Sequence, residues 1–279
     1  MITTNICKII HQTWKDNNPP DKYHKFINSW KENHPDYEYK LWTDEDNDNL
    51  VRTDFPEFYE MYKGFNHFMM RVDFARYCIL YKYGGVYVDL DFECIKPIDM
   101  LLYNRKIVLG SVKEEVLGSI VEIAFVATVK NHNIWKDMMY YIKYSRDSII
   151  DNLYKHIFGS MCMVGMTTGP IAFTNFLSIN KAYDTKDMKI LSPVYLYPKN
   201  WMSTEFKTYN EYNESKNINI SPKTYAIHHY EDSWLDETVK KRMFLLYKYK
   251  NTFKYIFIVL GLVFLIYSIY LTYNKYRRE

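Results

Sequence analysis

RVDFARYCILYKYGGVYVDLDFECIKP, Arg71 to Pro97, reads in succession as helix, stop, strand and acidic turn. Val72, Ala75, Ile79 and Tyr83 recur at helical spacing, which predicts one buried face. Gly84-Gly85 follow the last apolar position, where helices commonly end on a left-handed glycine. Val86, Val88 and Leu90 then alternate with Tyr87, Asp89 and Asp91, the period of a strand. If the strand runs through Asp91, both carboxylates leave on one side and can share a hard divalent cation, which favours oxygen ligands. A solvated strand end accounts for a lone Asp-x-Asp equally well. Asp73 and Arg76, three apart, are neighbours on the helix surface at the edge of the buried stripe. Taken alone they read as a surface ion pair worth about 0.2–0.5 kcal/mol.

Outward from this segment the pattern alternates strand and helix. On the amino-terminal side, ICKIIHQTW (6–14) reads as a first strand, with His11 a structural histidine and Asn17-Asn18-Pro19-Pro20 a turn. Asp21–Asn33 carries Tyr23, Phe26, Ile27 and Trp30 at helical spacing, and Tyr37–Trp42 alternates like a second strand. The acidic run Asp44–Asp48 reads as a solvated loop capping the next helix; Pro56–Asn66 and His67–Tyr83 read as helices. On the carboxyl-terminal side, Ile107–Gly110 is a short buried strand, Lys113-Glu114-Glu115 an exposed loop and Ile120–Val129 another strand. KNHNIWKDMMYYIK follows as a helix with Ile134, Trp135, Met138, Met139 and Ile142 inward. Thr167-Thr168-Gly169-Pro170 opens a helix through Leu177, with Pro170 in the first turn, and exposed amides there suit an anion or a sugar hydroxyl. Val194–Pro198 is strand-like, and Lys207–Ser221 is a polar loop. Thr224–Tyr230, with a His228-His229 pair, leads to Ser233-Trp234.

The 279 residues suit one large domain or two small ones, and 48% hydrophobic content is ample for a core. The 28 tyrosines and 16 phenylalanines, with many Asn, Lys and Ile, point to an AT-rich genome rather than to a function. A net charge of +3 is too small to argue for a nucleic-acid partner. Cys7, Cys78, Cys94 and Cys162 lack the spacing of a zinc site or a disulfide framework. MITTNICKIIHQTW does not read as a signal peptide. By contrast, Tyr255–Tyr273 is 19 residues without a charge, roughly 28 Å as a helix at about 1.5 Å per residue. Tyrosines at its ends and basic residues on both flanks fit a membrane anchor. The expected layout is a domain over 1–245, a basic stem over 246–254, a transmembrane helix over 255–273 and a basic tail over 274–279. Read this way the domain faces the cytosol, with a Golgi or ER lumen left open.

The helix with Asp-x-x-Arg followed by YGGVYVDLD resembles the sugar-nucleotide-binding core of the DxD-containing glycosyltransferases. The likeness is greatest to the family 32 group, with the large clostridial glucosylating toxins as more distant relatives. This resemblance implies an α/β fold of the GT-A, Rossmann-like type, a UDP- or GDP-sugar donor, and Mn²⁺ or Mg²⁺ bound through Asp91 with help from Asp89. It implies that Asp73 and Arg76 contact hydroxyls of the donor sugar, so that Asp73, Arg76, Asp89 and Asp91 form the catalytic set. KIIHQTW, SWKENHPDYEYKLWTDED and IAFVATVKNHNIWKDMM resemble further segments of the family, which more often has Asn-Ala near Ile123-Ala124. By the same likeness Trp14 stacks on the nucleotide base, and Thr168 and Gly169 lie beside the active site. His228, Ser233 and Trp234 close over the diphosphate and metal, with Tyr230 where the family has Trp. The activity implied is hexose transfer, with retention, to a glycan, lipid or protein acceptor. Two other classes fit parts of the pattern: a metal-dependent phosphohydrolase using the paired aspartates, and a non-catalytic anchored sugar-binding or scaffold protein.

Overall fold

The computed structural model describes residues 5–114, 118–145, 163–181, 186–198, 220–231, 237–249 and 252. The chain divides into two units, one of residues 1–199 and 218–231, the other of residues 200–217 and 232–279. Among the described residues the second unit contributes a single helix, Glu237–Lys248. No described helix is long and apolar enough to cross a membrane. The apolar run Tyr255–Tyr273, and with it the anchor expected there, lies outside the described residues.

The first unit is built on a six-stranded mixed sheet. In chain order its strands are β1 (Ile9–Thr13), β2 (Glu38–Trp42), β3 (Gly85–Val88), β5 (Ile107–Glu114), β6 (Gly118–Thr128) and β7 (Met188–Leu191). They lie side by side as β2-β1-β3-β6-β5-β7. The β1 strand runs parallel to both β2 and β3, as strands joined through helices must. The β6 strand is antiparallel to β3 and to β5. A separate two-stranded ribbon pairs β4 (Phe92–Cys94) with β8 (Ala226–His228). The α/β class that the resemblance implies is therefore the class observed.

The helices follow the apolar spacing closely. Helix α1 (Asp21–Asn33) buries Tyr23, Phe26, Ile27 and Trp30, the four positions its periodicity marks. Its Trp30 Nε1 donates to the Phe92 carbonyl at 2.8 Å, fixing the small ribbon against the helix. Helix α2 (Asp44–Asp54) begins inside the acidic run, which is thus a helical first turn rather than a loop. Thr43 and Asp46 close a capping box there, each side chain accepting from the other's amide. Helix α3 is Pro56–Lys63 and α4 is Phe68–Tyr83, with His67 as its N-cap. A short α5 (Asp99–Leu102) precedes β5, and α6 (Asn133–Ser145) buries the five expected residues Ile134, Trp135, Met138, Met139 and Ile142. Next come α7 (Pro170–Ile179) and α8 (Pro193–Leu196). Val194 starts no strand, because Pro193 at the first helical position directs the chain into a turn of helix. Lys113 and Glu114 are not loop: β5 runs on to Glu114, opposite Gly118 of β6.

Helix α4 departs most from its sequence pattern. One buried face was expected, yet every residue from Asp73 to Leu80 is buried. The reason is tertiary: α2, α6 and β3 all pack against this helix and cover the side that periodicity leaves polar. The stop that follows needs both glycines. Gly84 has φ +65°, and a Cβ there would lie 2.5 Å from the Lys130 amide nitrogen; a Cβ on Gly85, φ +89°, would lie 2.7 Å from the Ile9 carbonyl. The chain can therefore reverse and bring β3 alongside β1 without a clash.

His11 locks this junction. Its Nε2 lies 2.9 Å from the Gly84 carbonyl, and Nδ1 accepts from Trp42 Nε1 at 3.1 Å. Both bonds are satisfied by the neutral ring protonated on Nε2. Burial is the main cause that lowers its pKa to about 4. The unfolded chain takes up this proton near pH 6.5, whereas the folded chain resists it until about pH 4, so folding stability falls as pH drops through that window. We expect a loss of about 3 kcal/mol from this group between those limits. Urea unfolding across pH 4–7 checks it, because the His11→Gln chain lacks that component of the slope; identical slopes in the two chains would refute it.

Candidate active site

Strand β3 ends at Val88, three residues short of Asp91. The Asp89 amide donates to the Ala124 carbonyl of β6 at 2.9 Å, and the Phe92 amide to the Asp89 carbonyl at 3.1 Å, so Asp89-Leu90-Asp91 forms a turn. The carboxylates converge because of this turn and not because of strand alternation. In the β4–β8 ribbon Phe92 stands opposite His228, which brings the imidazole to the turn. One oxygen from each of Asp89 and Asp91 and one nitrogen of His228 lie within 4.8 Å of one another. His228 Nε2 is 3.2 Å from Asp91 Oδ1, while the Glu231 amide donates to Asp91 Oδ2 at 2.9 Å.

A second row adjoins this cluster. The Arg76 guanidinium lies between two carboxylates, Nη1 at 3.2 Å from Asp73 Oδ1 and Nη2 at 3.0 Å from Asp89 Oδ1. Its side chain is 4% exposed and that of Asp73 6%. A surface ion pair is excluded; this is a buried charged row, and a buried charge of that kind must be paired. Thr168 Oγ1 donates to Asp73 Oδ2 at 2.9 Å, and the Thr168 carbonyl accepts from Tyr77 at 2.7 Å. Arg76 also donates to the Tyr87 hydroxyl at 3.2 Å and stacks over that ring, 4.3 Å from its centre. Its Nε has no hydrogen-bond partner among the described residues.

The titrating groups divide accordingly. Burial pushes Asp73 up to about 6, although Arg76 and Thr168 hold it down. Burial also raises Asp89, with the Asp91 charge acting in the same direction against Arg76. For Asp91 burial is outweighed by the His228 charge and by the hydrogen bonds of His228 and Glu231, which bring it down to about 2. Burial disfavours the His228 imidazolium, but Asp91 raises its pKa to about 9. In the ion-free site each charge thus holds the other, and an ion bound through the His228 nitrogen would displace the imidazole proton. The donor set of two carboxylate oxygens and an imidazole nitrogen fits Mn²⁺ or Mg²⁺, which take oxygen and nitrogen ligands.

The remaining sequence candidates fall in different places. Trp14 is half-buried, packs at 5.3 Å against Tyr23 beside Leu90, and has an unpartnered Nε1. Gly169 is the N-cap of α7 and touches Gly165 so closely that a Cβ would lie 2.9 Å from its Cα. The amides of Thr168 and Gly169 both donate to the Val164 carbonyl. What this turn offers Asp73 is therefore the Thr168 hydroxyl and not an open amide. Ser233 and Trp234 lie outside the described residues. Sequence reasoning passed over Gln12, Tyr87 and Tyr197. Gln12 is fully buried, donates to the Asp89 carbonyl at 3.2 Å and accepts from Tyr39 at 2.8 Å. Tyr87 carried a readable signal, since it shares the alternation of Asp89; Tyr197, edge-on to His228 at 5.7 Å, carried none.

Residues 20–108 match the family model described as the glycosyltransferase sugar-binding region containing DXD motif. Over that stretch the chain resembles the DXD-containing glycosyltransferases. It is similar to inositol phosphoceramide mannosyltransferase 3 of Schizosaccharomyces pombe, 49% identical over 98 residues, which cover 35% of this chain and 28% of that protein. An uncharacterized glycosyltransferase of Acanthamoeba polyphaga mimivirus is 26% identical over 205 residues, covering 70% of this chain and 74% of the relative. The chain spans about a third of the length of the first curated relatives it matches. Among solved structures it is similar to the PaToxG glycosyltransferase, with a TM-score of 0.45 and 18% identity over 62% of this chain and 69% of that one. The matched region holds Asp73, Arg76, Asp89 and Asp91, whereas Thr168 and His228 come from beyond it.

Removing Arg76 leaves Asp73 buried without its counter-charge. We expect Arg76→Met to lower unfolding free energy by about 3 kcal/mol, while Thr168→Val raises the Asp73 pKa above about 6. Urea denaturation reads the first and carboxyl NMR titration the second. A neutral Arg76→Met would mean that the row is not the buried pair described.

Proposed function

We propose that the chain is a metal-dependent hexosyltransferase of GT-A type that moves a hexose, with retention, from a nucleoside-diphosphate sugar to a glycan, lipid or protein acceptor. The observation that carries this reading is the meeting of Asp89, Asp91 and His228 with the buried Asp73–Arg76 row at one turn. The named activity of the Schizosaccharomyces pombe relative supports mannose as the hexose and a lipid as the acceptor. Membrane attachment through Tyr255–Tyr273, with the catalytic unit facing the cytosol, is part of the same proposal and rests on that apolar run.

In this reading Asp91, Asp89 and His228 hold the Mn²⁺ or Mg²⁺ ion and Trp14 carries the nucleotide base. The chemistry such an ion supplies is neutralisation of charge on the departing diphosphate, worth several kcal/mol of barrier. Arg76, held between Asp73 and Asp89, has its fork fixed before any sugar arrives. Asp73 accepts from a sugar hydroxyl, while Thr168 keeps the carboxylate from rotating. Gly169 allows the turn carrying Thr168 to come this close. Positioning of this kind fixes the anomeric carbon toward the acceptor and removes an entropic part of the barrier.

The test uses the full chain in lipid vesicles with Mn²⁺ and each of several UDP- and GDP-hexoses, following release of nucleoside diphosphate. Release with one donor is expected, falling on the order of 10³-fold in Asp91→Asn or with a chelator. Asp73→Asn should lower kcat roughly 10²-fold with the donor KM changed less. If no donor is turned over and calorimetry detects no metal-dependent nucleotide binding, the transferase reading fails.

A further inference from the structure

Beyond that cluster, the first unit holds a cavity of about 310 Å³ lined by residues of α2, α3 and α4. Asp44, Glu45, Asn47 and Asp48 come from α2, Tyr62 and Lys63 from α3, Phe68, Arg71 and Val72 from α4. Asn47 is the anomaly. Leu50 and Val51, three and four residues on, are buried on the inner side of α2, so Asn47 occupies a position of the apolar stripe. It is 1% exposed, and among the described residues neither its Oδ1 nor its Nδ2 has a hydrogen-bond partner. A buried amide with both ends unsatisfied is costly, and an apolar side chain of similar size would avoid the cost. Nothing in the packing of α2 requires an amide there. Asn47 is one of the residues that line the cavity.

The lining selects the class of ligand. Three carboxylates against Lys63 and Arg71 give a net negative wall, which disfavours a phosphate or another anion. A divalent cation is disfavoured as well: among the described residues the three-ligand convergence is at Asp89, Asp91 and His228, not here. Asp48 is already engaged by Tyr59 at 3.1 Å and by Lys63 at 3.1 Å, so its oxygens are held in place as acceptors. An amide, carboxylates, a guanidinium and an aromatic rim at Phe68, 47% exposed, together suit a neutral polyhydroxylated ring with apolar C–H faces. The volume accommodates one such ring and not a peptide segment. The lining is linked to the segments of the proposed catalytic centre through the chain. Arg71 and Val72 immediately precede Asp73 on α4, and the Asp44 amide donates to the Lys15 carbonyl next to Trp14.

We propose that this cavity is a subsite for one neutral hexose of the acceptor, with the Asn47 amide as its floor and the Phe68 ring as its rim. The word acceptor rests on the transferase reading; the affinity for a hexose does not.

The test is saturation-transfer NMR and titration of the full chain with methyl α-mannoside, α-glucoside and α-galactoside, without nucleotide or metal. Saturable binding of at least one, with Kd on the order of millimolar, is expected for a single ring. Asn47→Leu continues the apolar stripe, so the fold should be kept or strengthened while hexoside affinity falls at least tenfold. Phe68→Ala, at an exposed position, should weaken binding several-fold. In turnover, Asn47→Leu should raise the acceptor KM with kcat and donor KM unchanged. Absence of binding by all three hexosides, which would leave the amide to an ordered water, overturns the proposal. So does binding that is unchanged in Asn47→Leu. Calorimetry of metal and nucleotide on the same preparation reports separately on the transferase reading, so failure of one is not mistaken for failure of the other.

Discussion

A guanidinium buried to 4% exposure cannot stand without counter-charge, and in this fold Arg76 finds it on two different elements. Asp73 lies one turn back on α4; Asp89 lies past the glycine stop and β3. The pair of bonds therefore ties the amino-terminal half of α4 to the turn that follows β3. Gly84-Gly85 make this possible by reversing the chain within two residues, at φ values and approach distances a side chain would forbid. His11 then bridges β1, β2 and the reversal through its two ring nitrogens. The centre of the sheet and the charged row are one construction.

Much of the fold was legible because the relevant signals are local. The apolar stripes of α1 and α6 name their buried residues correctly, and the glycine pair marks the end of α4. Three features were not legible for physical reasons. The burial of Asp73 and Arg76 depends on Tyr87 of β3, the turn at Asp89 and Thr168 meeting a helix face that its own spacing leaves polar. The convergence of Asp89 and Asp91 arises from a turn, whereas alternation alone assumes a continuing strand. The short helix at Pro193–Leu196 follows from proline at its start, against the strand preference of Val194 and Tyr195. Resemblance named His228 and Thr168; packing gives the contacts that local pattern could not, since each meets residues more than ninety positions away.

That separation has a consequence for how the site is assembled. Asp73 to Asp91 belong to one continuous segment, but Thr168 and His228 arrive from later parts of the chain. Thr168 is presented by the turn before α7, where Gly169 packs on Gly165, and Tyr77 of α4 grips its carbonyl. His228 is presented by the β4–β8 ribbon, itself fixed to α1 through Trp30 and Phe92. The charged row can be complete only when the sheet, α7 and the ribbon are all in place. Its geometry is a product of the whole first unit.

Asp89 is where the two halves of the site meet. One of its oxygens accepts from Arg76, and the same carboxylate belongs to the cluster with Asp91 and His228. Asp91 has a narrower environment: His228 and the Glu231 amide hold it ionised well below the usual carboxylate range. Asp89 is pulled both ways, raised by burial and by Asp91 and opposed by Arg76. The carboxylates are thus unequal although the sequence writes them alike. Asp91 provides fixed negative charge, whereas Asp89 transmits position, so that a displacement of Arg76 by a sugar would be felt at the cluster, and a change of charge at the cluster would be felt by Arg76. A single shared side chain is a short path, hydrogen-bonded to Arg76 on one side and reaching Asp91 and His228 through charge on the other.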